Sequence, residues 1–357
     1  MVELVRKLAI AALVGIAVAL AAVGSGWYAM QRYLEQPMLL DGDVEFSIVP
    51  GSTLQDVLAQ LKTAGISDDV HWLRLQARRQ GVARQIKAGD YTLVPGTTPQ
   101  QLLDLIVAGR VDLEQLTLIE GWTAAQAIEA VLEHDAIRND LQTGIARRAD
   151  GQPWLTDEMH KVLAAQLQIG TGHVEGWLYP DTYKFAKGET ASTILRKAHI
   201  ALQRELDQAF SLRPEDHPIG SEIELLTLAS IIEKETSRAD ERGRIAGVFA
   251  RRLSQGMRLQ TDPTIIYGIG IDYDGDIRRR DIQALTDYNT YRIDGLPPTP
   301  IALPGRAALR AAAQPDDGEE LFFVATGEPD GSHYFSKTNA EHEAAVQRYL
   351  KRLRGSP

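Results

Sequence analysis

The chain contains no cysteine. Disulfide staples, thiolate nucleophiles and thiolate metal ligands are therefore excluded, and the redox compartment is left open. It also lacks any excess of positive charge. Its 38 lysines and arginines face 48 aspartates and glutamates, a formal net charge of -10, which argues against a nucleic-acid partner. The 8 histidines show no ligand spacing, so neither a metal site nor a cofactor is indicated. Asp-Tyr-Asp-Gly-Asp at 272–276 hints at calcium, but Ile277 and Gln283 stand where a calcium loop needs Gly and Glu. A solvated turn is expected there. No Gly-x-Ser-x-Gly element supports an esterase.

Long apolar runs are also scarce, with a single exception at residues 8–28, which no charge interrupts. At about 1.5 Å per residue this run spans the roughly 30 Å hydrocarbon layer of a bilayer. Arg6 and Lys7 precede it, and Trp27 and Tyr28 stand where interfacial aromatics belong. The expectation is a single-pass anchor over residues 1–30, with a cytoplasmic N-terminus and the body on the far side. A cleaved signal peptide competes, because Ala-Ala-Val-Gly-Ser-Gly at 21–26 offers small residues to a peptidase.

The remaining length suits about two domains, and 44% apolar content is enough for real cores. Residues 43–50 alternate like an edge strand. Gly51-Ser52-Thr53 then opens an amphipathic helix that Gly65 stops. A second helix is expected over 68–80, a strand within 87–95, and a third helix from Pro99 to Val107. Val-Pro-Gly at 49–51 and at 94–96 closes a strand and opens a helix each time, so 43–110 reads as a small α+β module. A second domain, 111–350, follows. Helices are expected over 123–135, 156–168, 190–210, 221–236, 240–255, 305–313 and 338–353, a strand at 321–326, and a polar, irregular stretch at 137–155 with Arg-Arg-Ala-Asp-Gly-Gln-Pro at 147–153 as a surface insertion. Loops fill 268–276 and 294–305. The fold class is α+β throughout.

The most informative segment is Leu-Thr-Leu-Ala-Ser-Ile-Ile-Glu-Lys-Glu-Thr, 226–236, which carries two glutamates into an apolar stretch. In a helix, Glu233 and Glu235 lie about 200° apart and cannot share a face. Glu235 has Arg238 at i+3, an ordinary surface pairing. Glu233 has only Ala229, Ser230, Thr236 and Ser237 at three and four positions, which leaves room over it for something large. Ser230 can bond that carboxyl or its own helix. An unpaired carboxyl in a partly dry groove has a raised pKa and suits a general acid. Periodicity alone equally allows two solvated helix residues.

Leu-Ala-Ser-Ile-Ile-Glu-Lys-Glu-Thr at 228–236 and Gly-Met-Arg-Leu-Gln-Thr-Asp-Pro-Thr-Ile-Ile-Tyr-Gly at 256–268 closely resemble the endolytic murein transglycosylase (YceG-like) family. The resemblance includes Glu-Gly-Trp-Leu-Tyr-Pro-Asp-Thr-Tyr at 175–183, Tyr-Asn-Thr-Tyr at 288–291, Gly-Leu-Pro-Pro-Thr-Pro-Ile at 295–301 and Ser-His-Tyr-Phe-Ser at 332–336. It covers most of 43–350. It implies a bacterial inner-membrane enzyme with a periplasmic body that cleaves nascent glycan strands between N-acetylmuramic acid and N-acetylglucosamine, leaving 1,6-anhydromuramyl ends. It implies that 43–110 is a LysM-like module, that peptidoglycan strands are the partner, with cell-wall synthases alongside, and that Glu233 is the catalytic residue.

Further candidates for substrate contact are Glu175, Trp177, Tyr179, Asp181 and Tyr183, where carboxylates and aromatic faces suit sugars. A Pro180-pinned core corner fits the same residues. Gln260, Thr261 and Asp262 suit a hydrogen-bonding rim, Tyr288, Asn289 and Tyr291 could orient acetamido groups, and His333 and Ser336 complete the set. A membrane-anchored, non-enzymatic peptidoglycan-binding scaffold is the rival reading. A water-using hydrolase is another and needs a second carboxyl near the bond.

Overall fold

The structure, a computed structural model, describes residues 2–38, 40, 44–67, 70–109 and 113–355, with side chains from 13 to 354. The expected strand start at Asp43, the helix start at 68, the domain boundary at 110–111 and the side chains of Arg6 and Lys7 lie outside these residues. The chain divides into two compact units, Met1–Glu114 with Phe185–Gly188, and Gln115–Lys184 with Glu189–Pro357.

In the first unit, α1 (Val2–Glu35) is one continuous helix, and its Leu13–Glu35 portion is long and apolar enough to cross a membrane. β1 (Val44–Ile48) leads into α2 (Leu54–Thr63) and α3 (His71–Arg79); β2 (Gly89–Leu93) and α4 (Pro99–Ala108) follow. The two strands pair antiparallel with Val44 opposite Leu93 and Phe46 opposite Tyr91. Period-two alternation puts Phe46, Ile48, Tyr91 and Leu93 on the buried face. Thr53 and Thr98 begin α2 and α4 with reciprocal capping boxes to Asp56 and Gln101. Gly109 ends α4 in the left-handed conformation that glycine adopts without strain. The α1 residues Met30 and Leu34 sit in this core, each 2% exposed.

The second unit is mainly helical. β3 (Glu114–Thr117) pairs with a later strand, and α5 (Ala124–Leu132) follows behind a Thr123–Gln126 capping box. β4 (Ala146–Arg147) and β5 (Pro153–Trp154) form a minimal hairpin. The expected surface insertion at 147–153 forms the tip of this hairpin, and Trp154 and Leu155 just beyond it pack on the core. Next come α6 (Asp157–Leu167), β6 (Thr182–Phe185), which is the partner of β3, and α7 (Ala191–Ser211). α8 (Glu222–Glu235) and α9 (Ala239–Ser254) follow. α10 (Asp262–Ile269), which runs into the start of the loop expected at 268–276, and α11 (Arg279–Gln283) come next. α12 (Arg306–Ala313), the antiparallel pair β7 (Phe322–Ala325) and β8 (His333–Ser336), and α13 (Asn339–Gly355) complete the chain.

α8 is the centre of this unit. It packs against α7, α9, α10 and α12, and every residue from Leu225 to Ile232 is buried. A helix apolar all round belongs inside a core. Its first turn, with the exposed Glu222 and Glu224, and its last turn emerge, and the last carries both Glu233 and Glu235.

Candidate active site

Glu233 emerges, half-buried, where three segments meet. Its Oε2 accepts a 3.1 Å hydrogen bond from the Gly305 amide, at the N-cap of α12. The segment before Gly305 is held to α8 by Ser230, whose hydroxyl donates to Thr227 O at 2.7 Å and accepts from Ile301 N–H at 3.0 Å. Ser230 therefore positions backbone and does not touch the carboxyl. The third segment is the turn at Gly121. Gly121 N–H donates to Leu303 O at 2.9 Å, and Leu303 N–H donates to Trp122 O at 2.7 Å. Gly121 has φ +76°, and a Cβ there would touch the Glu233 and Lys234 side chains at 3.9 Å. Lys234 Nζ closes the ring by donating to Gly121 O at 3.1 Å.

Burial pushes the Glu233 pKa up, the neighbouring Glu120 carboxylate pushes it further, and the Gly305 amide, Arg242 and Lys234 oppose both. Helix dipoles act here in both directions, because the negative end of α8 disfavours the carboxylate and the positive end of α12 favours it. Among the described residues Glu233 belongs to no ion pair. Glu120 is the residue sequence reasoning missed. It is exposed, and a Cβ on Gly305 would collide with its carboxyl, so the two glutamates flank the same glycine. The only signal for it in the sequence is the Ile-Glu-Gly turn at 119–121.

Glu235 has a separate network on the other flank of α8. Thr261 Oγ1 donates to its Oε1 in a short hydrogen bond. Burial pushes its pKa up to about 7, opposed by the Thr261 bond and aided by Asp262. The expected Glu235–Arg238 pairing is not formed. Arg238 turns to Asp240 at 2.7 Å and Asp330 at 3.2 Å, because Thr236 leaves the helix in extended backbone and carries Arg238 away.

Gln260, Thr261, Asp262 and Tyr291 gather on this second flank. Gln260 has φ +54°, unusual outside glycine, and accepts from Arg252 at 3.4 Å. Asp262 accepts from the Tyr291 hydroxyl at 2.8 Å. The buried Asn289 donates to the carbonyls of Asp281, Ile282 and Ala284 at 3.1, 3.0 and 2.6 Å. Its amide is used up within its own loop, which corrects the expected acetamido contact. Tyr288 bonds Thr299 at 2.7 Å and packs on Tyr267.

The 175–183 segment is a packed corner. Trp177 and Tyr179 are 9% and 8% exposed and belong to the core, so their faces are not offered to a sugar. Glu175 is buried. It accepts from Ala124 N–H at 2.8 Å, from Gly176 N–H at 3.3 Å and from the Tyr267 hydroxyl at 3.2 Å. It caps the N-terminus of α5 and is not a free ligand for hydroxyls. Burial lifts its pKa to about 7 against those three donors. Asp181 is exposed and accepts from its neighbour Thr182, while the Tyr183 hydroxyl donates to Tyr179 O. His333 lies on β8 with Nδ1 2.7 Å from Glu241, and Ser336 is buried at the end of that strand.

The model of the YceG-like family matches residues 46–348. The chain is 29% identical over 314 residues to an endolytic murein transglycosylase of Bacillus subtilis, covering 86% of this chain and 85% of that one. It is 25% identical over 348 residues to the endolytic murein transglycosylase of Streptococcus pneumoniae, covering 91% of this chain but only 62% of that longer protein. A crystal structure of a YceG-like protein from Listeria monocytogenes superposes with a TM-score of 0.53 at 27% identity, covering 85% of this chain and 98% of that one. With matched residues that take in the Glu233 turn, the Gly121 turn and the Gly305 cap, the chain belongs to the YceG-like family.

Proposed function

We propose that the chain is an endolytic lytic transglycosylase. It would cut the bond between N-acetylmuramic acid and N-acetylglucosamine inside nascent peptidoglycan strands and leave 1,6-anhydromuramyl ends. One observation carries the assignment to Glu233: a partly exposed carboxyl at the emerging end of a buried helix, outside any ion pair among the described residues, with burial and Glu120 favouring its protonated form. The named activity of the Bacillus and pneumococcal relatives supports the reaction class.

In this mechanism Glu233 first donates its proton to the glycosidic oxygen as the bond to the muramyl anomeric carbon breaks. The muramyl 6-hydroxyl then attacks that carbon, and the Glu233 carboxylate removes its proton. The carboxyl is regenerated and no water is consumed, so one carboxyl serves where a hydrolase needs two. The Gly305 amide steadies the carboxylate between the steps.

Residues 1–30 anchor this body in a bacterial inner membrane with the N-terminus cytoplasmic and the catalytic body, 111–350, periplasmic. Residues 43–110 act as a LysM-like peptidoglycan-binding module, a reading supported by the strand–helix–helix–strand order of β1, α2, α3 and β2. Mass spectrometry of isolated glycan strands after incubation is the test. Anhydromuramyl ends made by the native chain and lost in Glu233→Gln support the proposal; strands left intact by the native chain favour a non-enzymatic scaffold.

A further inference from the structure

One surface outside the candidate site carries a ligand chemistry of its own. In a chain of net charge -10, residues 71–87 hold Arg74, Arg78, Arg79, Arg84 and Lys87 without one acidic residue. α3 supplies the first three, and its inward face, Leu73, Gln76 and Ala77, is already buried in the module. Its outward edge is therefore free for another role. That edge adjoins α1. Val23, Trp27, Trp72, Leu75, Arg78 and Arg79 line an apolar cleft of about 540 Å³. Leu75 is 45% exposed, Trp27 49% and Val23 71%. The Arg79 guanidinium lies 4.4 Å from the centre of the Trp27 ring.

The position of this cleft along α1 decides what can fill it. Trp27 and Tyr28 mark the interfacial end of the apolar run, and the first charge beyond them is Arg32. Val23 lies about 7.5 Å below that end at the helical rise of about 1.5 Å per residue. Side chains that share a cleft with Val23 are thus at the depth of the outer hydrocarbon, and Trp27 is at the interface, where tryptophan partitions. α1 does not stop there. It continues into the module core through Met30 and Leu34, so α3 is held at this depth. Leu75 and Trp72 then meet acyl chains, while Arg78 and Arg79 extend to the phosphates above.

We infer that α3 is a membrane-surface helix that docks on anionic phospholipid headgroups in the leaflet from which α1 emerges. The inference rests on α1 crossing the bilayer, which co-flotation of the chain with vesicles tests separately. Because the chain has no native cysteine, Leu75→Cys accepts a single nitroxide label in the full-length protein. The labelled chain is reconstituted in vesicles of phosphatidylcholine alone and of phosphatidylcholine with phosphatidylglycerol. With phosphatidylglycerol, oxygen collisions should rise and collisions with a water-soluble nickel chelate should fall. Arg78→Glu with Arg79→Glu should reverse that change at unaltered thermal stability, and Arg→Lys at both positions should retain it.

A label equally open to the nickel chelate in both vesicles overturns the docking. A label shielded equally in both, and indifferent to the arginine changes, overturns the headgroup recognition. Dipolar broadening between labels, whatever the lipid, identifies a second copy of the chain as the occupant and also overturns the proposal.

Discussion

Glu233 Oε2 accepts the Gly305 amide at 3.1 Å, which ties the last turn of α8 to the first of α12. On the other side of that glycine stands Glu120, whose charge raises the Glu233 pKa. If protonated Glu233 is the working form in the free enzyme, activity falls as pH rises through its elevated pKa. Glu120→Gln removes one raising influence. The alkaline limb of the kcat/KM profile should therefore move to lower pH, with little change in stability because Glu120 is exposed. An unmoved limb removes Glu120 from the site.

Gly305→Ala should act on the same pair by another route. The new Cβ would displace the Glu120 carboxyl, the far end of a flexible exposed side chain, while the Gly305 backbone (φ -80°) tolerates any residue. The expected outcome is a chain that folds normally and shares the pH shift of Glu120→Gln. An additive shift in the double variant would show that the two changes act independently, contrary to this geometry.

Ser230→Ala should cost stability. Ser230 is fully buried, and its hydroxyl is the acceptor for the Ile301 amide. Leaving a buried N–H unsatisfied costs about 1–3 kcal/mol. Denaturant unfolding should show a lower midpoint at an unchanged m-value.

Much of this was legible in the sequence where the signal is local. Thr53, Thr98 and Thr123 each stand three residues before the Asp56, Gln101 or Gln126 that completes a capping box, so the starts of α2, α4 and α5 could be read directly. α10 was hidden because Pro263 within a Pro- and Gly-rich stretch reads as loop, although proline also suits the first helical turn. The aromatic density of 175–183 had two readings that composition cannot separate, and burial of Trp177 and Tyr179 decides for the packed corner. The pairing of Glu120 with Glu233 across Gly305 comes from long-range packing, which no local pattern encodes. Helix geometry placed the two glutamates on opposite flanks but could not show that Thr261 would bond Glu235 and not Glu233.

Glu175 predicts a pH dependence of stability. Its pKa rises from 4.5 to about 7 on folding, so the native state binds the extra proton between those values. Stability contributed by this group is full below pH 4.5 and is lost as pH rises through about 7. Glu175→Gln should flatten that fall, because the amide oxygen still accepts from Ala124 without carrying a charge. Melting curves across this range check it; an identical slope in the variant rejects the role of Glu175.

Glu233 and Glu235 can be told apart by paired substitutions. Both have raised pKa values, and Glu235 also has a hydroxyl donor in Thr261. Glu235, however, is held within a network of its own flank, while Glu233 stands at the junction of three segments. Glu233→Gln keeps a carbonyl oxygen for the Gly305 amide and removes both the acid proton and the carboxylate base. It should lower turnover by about 10²–10⁴-fold, the usual worth of a general acid, with no loss of stability. Glu235→Gln keeps an acceptor for Thr261 and no longer buries a charge, so it should retain most activity and gain stability above about pH 7, where the native Glu235 carboxyl ionises. Anhydromuramyl product per unit time is the readout for both chains. Loss of product in Glu235→Gln with activity kept in Glu233→Gln would transfer the acid–base role to the Thr261 flank.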